Sequence, residues 1–79
     1  MMQNNLAEKI NVKMRKKGSP HIVKIFSDPS DGHFCNVEMR KIKSGAIAAQ
    51  HYILRSDLQT WVSMFRSDGF CVVEGGNHE

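Results

Sequence analysis

The feature that most constrains this chain is a row of three β-prone runs separated by two turn signals. His21-Ile22-Val23-Lys24-Ile25-Phe26 is rich in β-branched and aromatic residues, which suit a pleated, half-buried surface. Ser27-Asp28-Pro29-Ser30-Asp31-Gly32 follows. Its proline sets φ early in a turn, and its glycine can take positive φ at the end. From Phe34 to Ile42 the pattern alternates, with Cys35, Val37 and Met39 on one side and Asn36, Glu38 and Arg40 on the other. Lys43-Ser44-Gly45 reads as a short hairpin connection. Ala46–Leu54 then reads as a third strand, apolar on both faces. Together the runs predict an antiparallel meander.

A helix follows the meander. Leu58, Trp61, Val62 and Phe65 fall at i, i+3, i+4 and i+7, one apolar stripe. Ser56 and Gln59 have the spacing of a capping box, and Gly69 lies just past the end. The predicted helix is Ser56–Arg66, with Trp61 central in its buried stripe. Phe70 to Val73 reads as a last strand, and residues 75–79 as a flexible tail. This last strand is expected to run parallel to the first and third runs, pairing in parallel at an edge.

The first segment supports two patterns. Leu6, Ile10 and Met14 recur every four residues, and Asn5 with Glu8 offers a helix start. Ile10, Val12 and Met14 also alternate, as a strand would. The helix, over roughly residues 5–16, is the preferred reading. The expected fold is therefore α+β, one domain over residues 1–79 in the order (α)βββαβ. A four-stranded, antiparallel-dominated sheet carries the helix on one face. The other face needs the N-terminal helix, a second copy or a partner protein to cover it.

Seventy-nine residues give a small core, too small for a walled substrate cleft or a dinucleotide-binding fold with a partner domain. No window reaches the length of apolar sequence that spans a membrane, and the N-terminus lacks a secretory apolar stretch. The expectation is a cytoplasmic protein without a membrane partner, with Cys35 and Cys71 as free, buried thiols.

Chemistry-bearing patterns are sparse. His21, His33, Cys35, His51 and Cys71 are metal-ligand types, but they lack the paired spacing of structural zinc sites. Asp28, Asp31, Asp57 and Asp68 stand at turns and caps, where carboxylates bond backbone amides. Neither cysteine has the polar, electropositive surroundings of a nucleophile. The expectation is a non-catalytic protein with no metal and no cofactor.

Charge carries the functional signal. The net charge of +3 is uneven. Lys9, Lys13, Arg15, Lys16 and Lys17 against Glu8 give +4 in residues 1–17. Residues 44–79 hold Arg55 and Arg66 against Asp57, Asp68, Glu74 and Glu79, a net of −2. Lys13, Arg15, Lys16 and Lys17 form one basic cluster, and Arg40, Lys41 and Lys43 a second. With Lys24 they are the candidate residues for binding nucleic acid or another partner. If Lys24, Phe26, Phe34 and Arg40 share the face away from the helix, bases stack there while phosphates are neutralised. The competing reading puts both phenylalanines in the core and leaves the bases as a solvated face.

Two families have a comparable order of elements. The double-stranded-RNA-binding domain is similar in order, but its second helix opens with Lys-Lys-x-x-Lys where this chain has Arg55-Ser56-Asp57-Leu58. Glu38-Met39-Arg40 and Trp61 look similar to parts of the single-stranded-DNA-binding coactivators, whose Gly- and Lys-rich lead into the last strand is absent here. Neither assigns the chain. The leading expectation is a regulator or accessory factor acting on nucleic acid or a nucleoprotein complex through a basic surface. The alternative is a protein inhibitor of the phage or mobile-element style, acting by protein–protein contact on a host defence or nucleic-acid-handling complex such as CRISPR machinery. A homodimer fits either.

Overall fold

A computed structural model describes residues 9–77 of the chain. Strand β1 covers Ile10–Arg15, β2 His21–Asp28, β3 Asp31–Lys41 and β4 Ile47–Leu54. A 3₁₀ turn over Arg55–Asp57 leads into helix α1, Leu58–Ser67, and β5 follows as Cys71–Asn77. The meander is present as expected. The sheet has five strands rather than four, in the order β4-β3-β2-β1-β5.

The fifth strand is the segment expected to be helical. Ile10, Val12 and Met14 are buried, at 2%, 5% and 0% exposure. They point to the helix-covered face because β1 pairs antiparallel with β2, setting Val12 opposite Ile25 and Met14 opposite Val23. As a helix, this segment would satisfy its own backbone but leave the edge of β2 unpaired. As a strand, it pairs on both sides and still buries the same three side chains. Asn5, Leu6 and Glu8, which supported the helix reading, lie outside the described residues.

The change also corrects the last strand. β5 pairs antiparallel with β1, not in parallel at an edge of the meander. Its direction is as expected, but β1 stands between it and β2. Gly75, Gly76 and Asn77, expected in a tail, pair with Val12, Asn11 and Ile10. Residues 78–79 lie outside the described residues.

The core lies between the sheet and α1. Val23, Ile25, Cys35, Val37 and Ile53 from the sheet meet Leu58, Val62 and Phe65 of the helix and Phe70 of the turn beyond it. Phe70 packs edge-on against Phe65, ring centroids 5.8 Å apart. The Ser56–Gln59 capping box does not form: Ser56 lies in the 3₁₀ turn, and Asp57 precedes α1 without a side-chain cap. Trp61 is half-buried at the margin of the stripe, 5.0 Å from the His51 ring on β4. Cys35 is buried, whereas Cys71 is exposed. Cys71 opposes Arg15 on the outermost strand, so its side chain shares the face that no helix covers.

These burials order the expected mutational costs. Ile25→Ala should destabilise the domain by about 2–5 kcal/mol. Trp61→Ala, at the margin, should cost less, and urea unfolding of both variants checks the ranking. In the native state a thiol reagent should modify Cys71 promptly. Cys35 should react only on unfolding, because burial both hides its thiol and pushes its pKa up. Mass spectrometry of the modified cysteine distinguishes the two.

Candidate nucleic-acid interface

The helix leaves one face of the sheet open. Paired residues in an antiparallel sheet point to the same side, so the register assigns that face directly. Nearest the β1–β2 loop it carries Arg15, Ile22, Arg40 and Ile47. The next row is Lys13, Lys24, Glu38 and Gln50. Beyond it come Asn11, Phe26, Asn36 and Tyr52. Phe34 and Leu54 follow, closest to the β2–β3 turn.

Lys24, Phe26, Phe34 and Arg40 therefore do share the face away from the helix. Phe26 and Phe34 are half-buried, not core. Phe34 stacks on Tyr52 with ring centroids 4.8 Å apart and planes 8° from parallel. Tyr52 is 55% exposed, and Phe34 covers one face of its ring.

The basic clusters meet at one end. The β1–β2 loop holds Lys16 and Lys17, and the β3–β4 loop holds Lys43, with Lys41 at its start. The Ile42 amide donates to the Pro20 carbonyl at 2.8 Å, joining the two loops. Together with His21, Lys41, Lys43 and Ser44, Pro20 and Ile42 line a hollow of about 450 Å³. The turn after α1 reaches the same end: a Cβ placed on Gly69 would stand 3.1 Å from Cε of Lys16. The Lys16 stem therefore lies across that glycine, whose φ of 102° suits glycine alone. Arg15, Lys16, Lys17, Lys41 and Lys43 are all exposed, and Lys13 and Lys24 half-buried.

Arg40 differs from the rest. Its Nε donates to Glu38 at 2.8 Å and its guanidinium also donates to the Gly45 carbonyl at 2.7 Å. The Glu38 hydrogen bond holds its pKa above the ordinary arginine value. Arg40 thus ties the β3–β4 loop to the sheet, and Glu38 offsets its charge.

Acids gather at the opposite end. Asp28 accepts the Ser30 amide at 3.0 Å and also the Tyr52 hydroxyl. Asp31 accepts the His33 amide at 3.0 Å, and the His33 ring lies 3.1 Å from the same carboxylate. The Tyr52 hydroxyl chiefly, then the Ser30 amide, holds the Asp28 carboxyl below its usual range. The His33 amide does the same for Asp31. Among the described residues no group of three or more His, Cys, Asp or Glu side chains clusters as a metal would require.

Neither Tyr52 nor Glu38 is among the candidate binding residues that the sequence offers. Tyr52 reads there as one apolar residue in a two-sided strand. A register shift between Met39 and Arg40 brings Ile47, not Ala48, onto the face of Tyr52 and Leu54. Only a local bulge does this, and alternation alone carries no sign of it. No family model, curated protein or solved structure matches the chain.

The Tyr52–Asp28 bond has a direct spectroscopic test, because the chain has one tyrosine. Bonding to the Asp28 carboxylate pushes the Tyr52 pKa up to about 12. Ultraviolet titration should show that phenol ionising near 12, and Asp28→Asn should return it towards about 10. The raised phenol pKa contributes stability in full below about 10, lost as pH climbs through the folded value. The lowered Asp28 pKa contributes stability above about 4, lost as pH falls through its folded value. The bond should therefore weaken at both extremes of pH.

Proposed function

We propose that this protein is a small non-catalytic binding protein that acts on nucleic acid, free or in a nucleoprotein complex, through the basic end of its sheet. The observation that supports this is the union of two basic clusters far apart in sequence. The Ile42–Pro20 bond draws the loops bearing Lys16, Lys17 and Lys43 to one end, where Arg15 and Lys41 are also exposed. Concentrated like charge opposes folding mildly, and it attracts a polyanion. Lys24 and Lys13 extend the positive charge onto the open face. Arg40 serves as a brace, since two of its five N–H donors hold Glu38 and Gly45.

A second reading, contact with a protein target, is favoured by β4. This edge strand carries no charged residue from Ile47 to Leu54, and Ile47, Tyr52 and Leu54 are about half exposed, at 46%, 55% and 48%. Uncharged edges accept another strand readily. An inhibitor would engage its target in this way, and a second copy of the chain would use the same edge. Among the described residues no helix is long and apolar enough to cross a membrane.

Reversing Arg15, Lys16 and Lys17 to Glu separates the readings. The thermal midpoint should stay nearly unchanged, since exposed surface substitutions usually shift stability by about 0.5 kcal/mol or less. Nucleic-acid affinity should fall. The slope of log affinity against log salt should flatten by about 0.7–0.9 for each phosphate no longer neutralised. Wild-type protein that fails to retain free DNA or RNA even at low salt would favour the protein-target reading.

A further inference from the structure

We infer that the open face takes single-stranded nucleic acid in preference to duplex, with phosphates on its basic rows and bases on its aromatic row. This rests on the nucleic-acid reading above and adds the strandedness of the ligand and its orientation. Three observations lead to it.

The first is the order of chemistries along the strands. Arg15, Lys13 and Lys24 occupy two successive rows, Phe26 and Tyr52 the next, and Phe34 the one beyond. Successive residues on one face of a strand are about 7 Å apart, twice the rise per residue. A strand of nucleic acid crossing the β-strands would thus keep its backbone on one track and its bases on a parallel one.

The second is the stacked pair. Phe34 and Tyr52 lie nearly parallel at 4.8 Å, and Tyr52 is the exposed outer member. The ring face that Phe34 does not cover is the open end of a stack, and a base that continues the stack needs no rearrangement of the pair. The Asp28 bond to the Tyr52 hydroxyl restrains the ring in place. A duplex keeps its bases stacked on each other inside and shows phosphates outside. It would satisfy the basic rows but leave the aromatic row facing sugar and phosphate. A single strand has unstacked bases to offer to both.

The third is the acidic end. Asp28 and Asp31 lie past the aromatic row, and hydrogen bonds hold both carboxyls below their usual pKa. Their charge repels phosphate from that end. The attraction at one end and repulsion at the other set a single orientation: backbone towards the β1–β2 loop, bases towards the β2–β3 turn.

Fluorescence anisotropy with a labelled oligothymidine and with a blunt hairpin duplex of matched charge tests this. The expected result is at least roughly tenfold tighter binding of the single strand at equal salt. Tyr52→Ala should weaken oligothymidine binding by roughly 5- to 150-fold, the range for removing one base–aromatic stack, and leave duplex binding unchanged. Tyr52→Phe keeps the ring and loses only the Asp28 restraint, so its oligothymidine affinity should fall between those of wild type and Tyr52→Ala, and it guards against a folding artefact. Equal affinity for single strand and duplex, with Tyr52→Ala silent, would overturn this inference and leave the broader nucleic-acid reading standing. Failure to bind either ligand would overturn both.

Discussion

The structure depends on the two-sided pairing of β1. This strand joins β2 on one side and β5 on the other. Its three inward side chains, Ile10, Val12 and Met14, are all buried in the core. Burying each such side chain contributes about 1.5–3 kcal/mol, so the strand supplies a large part of what a small domain has available. Remove it, and β5 loses its partner while β2 becomes an unprotected edge. The connection from β4 through α1 to β5 then has no distant edge to reach. The helix lies over the core because its chain must cross from one side of the sheet to the other.

That crossing explains the open face. One ten-residue helix covers one side of a five-stranded sheet, and the described chain has no second helix to cover the other. The uncovered side carries a gradient: basic residues by the β1–β2 and β3–β4 loops, aromatics in the middle rows, and acids at the β2–β3 turn. Each zone has its own internal supports. Glu38 and Gly45 fix Arg40, Asp28 fixes Tyr52, and the Ile42–Pro20 bond fixes the two basic loops against each other. Side chains held in this way lose little freedom on binding, which favours affinity.

The two sheet edges differ in kind. β4 carries no Asp, Glu, Lys or Arg, with Tyr52 and Leu54 on the open side and Trp61 beside His51 on the helix side. β5 begins with an exposed cysteine opposite Arg15. Natural edge strands are commonly guarded by charge, proline or bulges. β4 has only the register shift near Arg40, and the ring stack of Phe34 and Tyr52 borders its exposed side.

The elements with a local signal were legible in the chain. Alternation between residues 21 and 54 set the meander, and the spacing of Leu58, Val62 and Phe65 set the helix and its buried stripe. The same alternation put Lys24, Phe26, Phe34 and Arg40 on one conditional surface, because period-two patterning needs only neighbours along the strand. Tertiary structure decided what local patterns leave degenerate. Ile10 and Met14 fit a helix and, with Val12, a strand; the local pattern favoured the helix, and the open edges of β2 and β5 decided for the strand. The Ser56–Gln59 box gave way to a 3₁₀ turn where β4 hands over to α1. Cys71 became exposed because β5 lies at an edge, and Tyr52 came to stand beside Phe34 because of the β3–β4 register. Each of these outcomes depends on which backbone groups and side chains distant segments offer one another. Such pairings are made between residues far apart in the chain, so no window of sequence contains them.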